Sequence, residues 1–408
     1  MDQKQLKDHK QIGQELELFF TSELAPGAPF WLPRGMVIFK ELEKYIRELT
    51  EAAGYLETST PIMVKSELFK QSGHWEKFGE TNIYNLSLSD EADGSNPETY
   101  SLKPMNCPES TILYRFRPRS YRELPLRLAE IGRLHRREKS GEVNGLLRVR
   151  QLTMDDAHIY ATEDQIFDEV SNILDMMVEF YKGFGFEYDF RLATRPEVRA
   201  GEDSMWDKAE KELAEALVKK GIKAGDKMGD GAFYGPKIDV HIKDSQGREW
   251  QLATVQLDFH QPKAFDLKYT DEKGETKSPV MIHRAIFGSF ERFIAILTEH
   301  FQGSFPIWLA PTQVQIIPIT DRHLGYAQKV LEQLKSANIR VEIDSRGETM
   351  QAKIRDAQTQ KIPYMLILGD REQEAGKVAV RLRGGEDLGA IGVEEFSKRV
   401  IEEIKNRK

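Results

Sequence analysis

The chain contains one cysteine, Cys107, among 408 residues. That excludes an intrachain disulfide and leaves a buried thiol, a reactive thiol or a metal ligand. Long apolar runs are missing as well, since no stretch reaches the roughly 18 residues that a membrane-spanning helix requires. The opening MDQKQLKDHKQIGQELELFF has no apolar run behind a basic start, so it resembles neither a signal peptide nor an anchor, and a soluble, cytoplasmic protein is expected. Positive charge is not in excess. A net charge of -8 confines any nucleic-acid contact to a local patch. Internal repeats and long low-complexity tracts are absent. The length exceeds what a single core usually serves, so two domains of unequal size are expected.

What is present is concentrated between Leu126 and Tyr160, LRLAEIGRLHRREKSGEVNGLLRVRQLTMDDAHIY. Two extended runs, Leu126–Arg137 and Leu146–Tyr160, flank Lys139–Gly145, whose Ser, Gly and Asn favour a turn, so an antiparallel hairpin is expected. Alternation puts Leu134, Arg136 and Glu138 on one face of the first strand. It puts Arg148, Arg150, Leu152, Met154, Asp156 and His158 on one face of the second. For any single charge there, a solvated face of an amphipathic hairpin is the plain alternative. The opposite face, with Arg133, His135 and Arg137 on the first strand and Leu147, Val149 and Gln151 on the second, is no cleaner an apolar face, so a sheet covered on both sides is expected. Buried charges need partners, and a bound anion would satisfy several arginines at once.

Elsewhere the periodicities predict a helical lead-in over Leu6–Leu24 and a helix through Val37, Leu42, Tyr45, Ile46 and Leu49, closed by Gly54. A strand Tyr55–Ser59, a second helix Pro61–Trp75 and a surface loop Leu86–Glu98 follow. Thr99–Leu102 then leads into KPMNCPES, which puts Cys107 at the start of a helix, where the dipole lowers a thiol pKa. Thr162 and Gln165 have capping-box spacing for a helix Glu163–Tyr181. Next come a strand Glu187–Ala193, a helix opening at Ser204 and running to Lys220, and a hairpin of Phe233–Ile242 with Glu249–Phe259. MIHRAIFGSFERFIAIL passes from strand to helix, with Arg292 in the first turns. Beyond the proline-bracketed FPIWLAP, strands (Val314–Ile319, Arg340–Ile343, Tyr364–Leu368, Lys377–Arg383) alternate with helices (Leu324–Ala337, Thr349–Gln360, Val393–Lys405). That alternation predicts a small α/β domain of about a hundred residues.

Cys107, His158 and His283 come from three separate elements, each placed near the central sheet. Three N/S ligands leave a fourth zinc position open, as in catalytic rather than structural sites. Their spacing is too wide to form a motif, and for one histidine an ordinary hydrogen-bonded role is the commoner one. Context, not spacing, groups them.

Several segments together resemble the class II aminoacyl-tRNA synthetases, and specifically the threonyl-tRNA synthetase family. They are the Pro61 region (motif 1), KPMNCP, LHRRE followed by GLLRVRQLTMDDAHIY (motif 2), FYGPKID, WQLATVQLDF and VMIHRAIFGSFERF (motif 3). The resemblance implies an α+β catalytic domain with an antiparallel sheet over residues 1–306 and a smaller α/β anticodon-binding domain over 307–408. It implies a homodimer joined through motif 1. The implied activity is that of a threonine–tRNA ligase, which activates L-threonine with ATP and transfers it to the 3′ end of threonine tRNA. Carried over, the ligands of one Zn2+ fall on Cys107, His158 and His283. The threonine contacts fall on Met105, Arg136, Asp156, Tyr234, Gln256 and Ala285. Arg136, Lys237 and Arg292 are the implied catalytic residues. ATP, with Mg2+, is implied to meet Arg136, Glu138, Arg148, Leu152, Gln251 and Arg292, and the anticodon Glu372 and Arg381.

The implied zinc would accept the amino nitrogen and hydroxyl of threonine together. Valine lacks the hydroxyl, and rejecting a substrate without a required polar group can reach a factor of roughly ten thousand. Serine lacks only a methyl, a difference of about 1–3 kcal/mol, so it is not fully excluded. The chain departs from the family where MNCPES replaces MNCPGH, where Leu152 replaces an aromatic that stacks on adenine, and where Met154 replaces a glutamine. Relatives also carry N-terminal domains, one of which hydrolyses mischarged seryl-tRNA. Met1 stands almost at the catalytic domain, so a short form is expected, with editing supplied by another polypeptide or absent, or else a trimmed chain. Two other functions fit parts of the pattern: a non-catalytic paralogue that binds tRNA or a messenger leader, and an enzyme that activates an amino acid for a carrier protein.

Overall fold

The computed structural model describes residues 6–88, 98–244 and 246–407. The chain packs as two compact units, one comprising Met1–Phe20, Phe30–Leu42 and Ile294–Lys408, the other Thr21–Pro29 and Glu43–Phe293. This grouping by contacts differs from the division at 306/307 read from the sequence.

The second unit is built on eight strands: β1 (Leu56–Glu57), β2 (Leu126–His135), β3 (Gln151–Ala161), β4 (Glu187–Ala193), β5 (Ala224–Lys227), β6 (Lys237–Lys243), β7 (Glu249–Asp258) and β8 (Val280–Ser289). Their order across the sheet is β5-β4-β6-β7-β8-β3-β2-β1. The six central strands are antiparallel, and only the edge strands β5 and β1 run parallel to their neighbours. β8 is buried along nearly its whole length, as a strand covered on both faces must be.

Among the helices before and just after the last strand of this sheet are α1 (Pro33–Ala52), α2 (Cys107–Arg115), α3 (Ile166–Lys182), α4 (Asp203–Lys219) and α5 (Phe290–His300). α3 buries Ile166, Val170, Ile173, Leu174 and Met177 completely, the stripe that a 3.6-residue period predicts. Its Phe180 stacks on Phe287 of β8 with ring centroids 5.3 Å apart, so α3 covers one face of the sheet. The Thr162–Gln165 capping box precedes it as expected.

Several element readings need correction. The lead-in is helical only over His9–Glu15. Glu17, at φ 54, turns the chain out of the helix, and Phe19–Thr21 and Pro29–Trp31 form a two-stranded sheet. The helix expected over Pro61–Trp75 is a strand, Met63–Lys65, followed by helices Glu67–Gln71 and His74–Asn82, separated by Gly73 at φ 76. Part of the Leu86–Glu98 loop is strand, since Tyr84–Leu88 pairs with Glu98–Leu102; residues 89–97 lie outside the described ones. β3 begins at Gln151 rather than Leu146 because residues 136–150 fold as a loop with one 3₁₀ turn, Ser140–Glu142. α4 opens after Glu202, not at Ser204, and the strand expected from Phe233 starts at Lys237.

The smaller α/β part holds β9 (Val314–Pro318), β10 (Val341–Ile343), β11 (Tyr364–Leu368), β12 (Lys377–Leu382) and β13 (Asp387–Gly392), ordered β10-β9-β11-β12-β13. The first three are parallel and the last two antiparallel additions. Its helices are α6 (Leu324–Ser336), α7 (Met350–Thr359), α8 (Asp370–Ala375) and α9 (Val393–Lys405). α8 and β13 escaped the sequence reading, α8 because six residues are too few to display a period.

Candidate active site

Antiparallel pairing of β8 with β3 sets His283 opposite His158. The two imidazoles meet edge to face with ring centroids 5.1 Å apart. α2 begins at Cys107 and delivers its thiol to the same place, so the three ligand atoms lie within 4.8 Å of one another, all buried. His283 Nε2 lies 2.9 Å from Asp258 Oδ2. Asp258 is fully buried and accepts from the backbone N–H groups of His260 and Gln261 at 2.7 and 2.9 Å. Burial raises its pKa, yet the bonds from His283 and Gln261 outweigh that and hold it below its ordinary value. A carboxylate on the outer nitrogen fixes a histidine's orientation and raises its basicity, as it does behind metal ligands.

Burial, and then the charge of His283, push His158 well below its ordinary pKa, which leaves it neutral and able to bind a metal. Cys107 contradicts its sequence-based expectation. Burial first, then Asp156, Glu109 and Asp258, push the thiol well above its ordinary value. The dipole of the α2 N-terminus loses to desolvation and three carboxylates. A thiol so placed ionises when a cation coordinates it. One sulfur and two imidazoles, one of them backed by a carboxylate, fit a thiophilic divalent ion such as Zn2+.

The implied threonine contacts gather at this trio. Asp156 lies two residues before His158, with Oδ1 3.8 Å from His158 Nε2, and accepts from Asn106 Nδ2 at 3.0 Å. Burial raises its pKa against the bond from Asn106. Ala285 stands opposite Asp156 and Gln256 opposite His283. Tyr234 lays its ring 5.1 Å from that of His283 and donates its hydroxyl to Gln256 Oε1 at 2.5 Å. Met105 packs in the same apolar cluster as Cys107.

A second group is cationic. Arg136 follows β2, its backbone N–H bonded to Arg150 O at 2.8 Å and its Nε to Pro104 O at 3.1 Å. Arg292, in the first turn of α5, donates Nε to Leu147 O at 3.0 Å. Burial, then the charges of Arg136 and Arg148, hold the Arg292 guanidinium below its ordinary pKa. Guanidinium groups that repel one another across a half-buried space form a site for an anion. Arg148 is paired with Glu138 at 2.9 Å and Glu142 at 3.0 Å. Arg150, grouped with these by strand parity, is used structurally. It donates to Glu138 O, Ser140 Oγ and Pro26 O and ties the 136–150 loop to the segment 21–29. Leu152 and Met154 join Leu134 and Val149 in a small aliphatic patch.

Lys237 stands opposite Gln256, its ammonium paired with Asp239 and 3.6 Å from Asp230. Gln251 is five positions from Gln256, which by strict alternation faces the other way. Between the Asp239–Thr254 and His241–Gln251 pairs, β6 advances by two residues and β7 by three, and this bulge returns exposed Gln251 to the face of Thr254 and Gln256. Glu372 lies in α8, where it accepts from Gly369 N–H at 3.0 Å, and Arg381 lies on β12 opposite Met365. The segment GDREQEAGKVAVR is therefore a short helix followed by a strand.

Sequence reasoning missed His74 and Asp258. His74 is buried, with Nε2 3.7 Å from Cys107 Sγ and Nδ1 2.8 Å from Ser72 Oγ; nothing local marks it. Asp258 carried a signal, since it shares strand parity with Thr254 and Gln256.

Residues 88–301 match the tRNA synthetase class II core domain (G, H, P, S and T). The chain belongs to the class II tRNA synthetases. Residues 313–403 of this class II synthetase match an anticodon binding domain, which is the smaller α/β part. It is 50% identical over 407 residues to the threonine–tRNA ligase of Desulforamulus reducens and 51% identical over 407 residues to that of Clostridium botulinum. Each alignment covers 100% of this chain and 63% of the relative, so the chain spans less than two thirds of those curated relatives. The crystal structure of the RNA binding domain of threonyl-tRNA synthetase from Cryptosporidium parvum is 36% identical, with a TM-score of 0.90, covering 97% of this chain and 98% of that one.

Proposed function

We propose that this class II synthetase is a threonine–tRNA ligase. The observation that carries the reading is the Cys107, His158 and His283 trio with Asp156 at its edge, on the sheet that also presents Arg136 and Arg292. Cys107, His158 and His283 would hold Zn2+, which when bound supplies a Lewis-acidic attachment point for an amine and a hydroxyl. Asp156 accepts a hydrogen bond from the threonine hydroxyl, and Met105, Tyr234, Gln256 and Ala285 bound the space left for the side chain. Valine offers Asp156 no hydroxyl to accept from, whereas serine fills the polar contacts and forfeits only a methyl.

In activation, a threonine carboxylate oxygen attacks the α-phosphorus of ATP, and the bond to pyrophosphate breaks. The carboxylate is already ionised, so no general base is required. What this chain contributes is orientation and charge stabilisation on the phosphate oxygens. Arg136 and Arg292 supply these, with Lys237 beside the substrate and Mg2+ accompanying the nucleotide. Glu138 accepts from the adenine amino group, Leu152 lies against the ring, and Arg148 and Gln251 hold the triphosphate or ribose. Arg148 must exchange its pairing with Glu138 and Glu142 for phosphate in that state. A hydroxyl of the terminal adenosine of tRNA then attacks the mixed anhydride and AMP leaves. Glu372 and Arg381 read the anticodon, residues 1–306 and 307–408 divide the two tasks, and motif 1 joins two copies of a cytoplasmic enzyme.

The test is ATP–pyrophosphate exchange with threonine, valine and serine, followed by charging of threonine tRNA. Exchange with threonine, strong rejection of valine and partial acceptance of serine are expected, together with charging. Exchange without charging would indicate an activating enzyme for a carrier protein. Neither reaction would indicate a binding paralogue.

A further inference from the structure

The turn from β8 into α5 decides where Arg292 stands, and a buried carboxylate outside the substrate pocket holds that turn. β8 pairs with β3 regularly up to Ala285 opposite Asp156, and the next pair is Ser289 opposite Met154. Over this interval β8 advances four residues while β3 advances two, so two residues of β8 are looped out. A loop of that kind takes backbone N–H groups off the ladder, and buried N–H groups need acceptors. Asp155 provides them. Its Oδ2 accepts from Ile286 N–H at 2.7 Å and its Oδ1 from Gly288 N–H at 2.9 Å, with Phe287 N–H at 3.4 Å from both.

Three consecutive amides thus converge on one carboxylate, while Gly288 at φ 77 permits the bend. Asp155 lies on the helix-covered face of the sheet, opposite in parity to Asp156, and is completely buried against Arg284. Tyr181 of α3 donates to Ile286 O at 2.8 Å and anchors the same turn from the helix side. A reciprocal bond runs the other way: Glu291, first in α5 after Phe290, accepts from Thr153 N–H of β3 at 2.9 Å. That amide lost its strand partner when β8 became a helix. Two buried carboxylates therefore staple the register break from both sides, and Arg292 is the next residue.

We propose that Asp155 is a positioning residue for the ATP step, acting through the backbone of residues 286–288 to place the Arg292 guanidinium. The proposal rests on the reading of Arg292 as a phosphate contact. Asp155→Asn presents an N–H group where an acceptor is required, so at least one of the three amides loses its partner. His283 and Ala285 precede the loop and keep their pairing with β3. The loss is therefore expected on the nucleotide side of the site and not on the amino-acid side.

The experiment combines hydrogen–deuterium exchange with kinetics and nucleotide binding on the full chain. In Asp155→Asn, amides 286–292 should exchange faster while those around His283 stay as in wild type. kcat for threonine-dependent pyrophosphate exchange should fall roughly ten- to hundredfold, the scale of an ångström-sized misplacement, with KM for threonine unchanged. Affinity for ATP should fall while affinity for adenosine does not. Unchanged protection at 286–292, or loosened amides with wild-type kcat, would overturn the proposal. So would a parallel loss of threonine and ATP binding, which indicates general destabilisation. If wild type shows no threonine-dependent exchange, the proposed ligase function fails, and the ATP-against-adenosine comparison alone decides the role of Asp155. Should Asp155→Asn not fold, Glu291→Ala breaks the reciprocal bond and carries the same expected signature.

Discussion

The Cys107 thiol lies in surroundings that oppose its ionisation, so a bound cation is what makes its thiolate tolerable there. Cys107→Ser replaces a strong soft ligand by a weak hard one. Elemental analysis should find zinc falling from roughly one ion per chain in wild type to a small fraction of that, with the circular dichroism spectrum preserved. Wild-type zinc content in the variant would sink the assignment of the trio. Arg292 makes a different kind of contribution, because its charge matters most when negative charge shifts onto the phosphate oxygens. Arg292→Ala should lower kcat for pyrophosphate exchange by about a hundredfold or more, measured at saturating threonine, and leave the threonine KM within about twofold. A variant that lost threonine affinity instead would place Arg292 in the amino-acid pocket. The thiol is also where local reasoning failed. A helix N-terminus favours a thiolate, but here desolvation and neighbouring carboxylates outweigh it, and the strand pairing that buries Cys107 lies far from it in the chain.

At the next scale, the β8-to-α5 turn stores an electrostatic cost that pH can reveal. Burial pushes the Glu291 carboxyl up to about 7, against the bond from Thr153 N–H, whereas in an unfolded chain it titrates near 4.3. Between those values the folded protein retains a proton that the unfolded chain has released. Raising the pH through this window therefore removes stability, and above about 7 the loss is complete. Glu291→Gln does not titrate. Its stability relative to wild type should improve from pH 5 to pH 8 by an amount on the order of 1–3 kcal/mol, read from urea unfolding of both proteins. An equal difference at the two pH values would show that Glu291 does not titrate in this window. The turn itself was partly legible: MIHRAIFGSFERF announced a strand passing into a helix through a glycine. Its register was not, because the extra two residues of β8 are defined only by pairing with β3. The same holds for Gln251, whose face depends on a bulge in β7 that no local pattern announces.

For the molecule as a whole, a net charge of -8 means that the proposed tRNA recognition must come from particular cations. Arg381 on β12 is one of those proposed. Arg381→Ala should lower kcat/KM for charging threonine tRNA about tenfold or more relative to pyrophosphate exchange, the range of one lost bidentate base contact. Equal effects on both reactions would remove Arg381 from anticodon reading. By itself the sequence determined the two-part α+β and α/β organisation and most helices and strands, while Cys107, His158 and His283 were grouped only through the resemblance to the synthetases. Local periodicity is written in neighbouring residues, and that suffices for elements. Only the tertiary structure decided that His158 faces His283, that Asp258 stands behind it, that His74 reaches Cys107, and that Asp155 and Glu291 staple one turn. Each of these depends on pairing and burial between residues distant in the chain, and a register shift of one residue would send the strand-borne side chains of Asp155, His158, Asp258 or His283 to the other face.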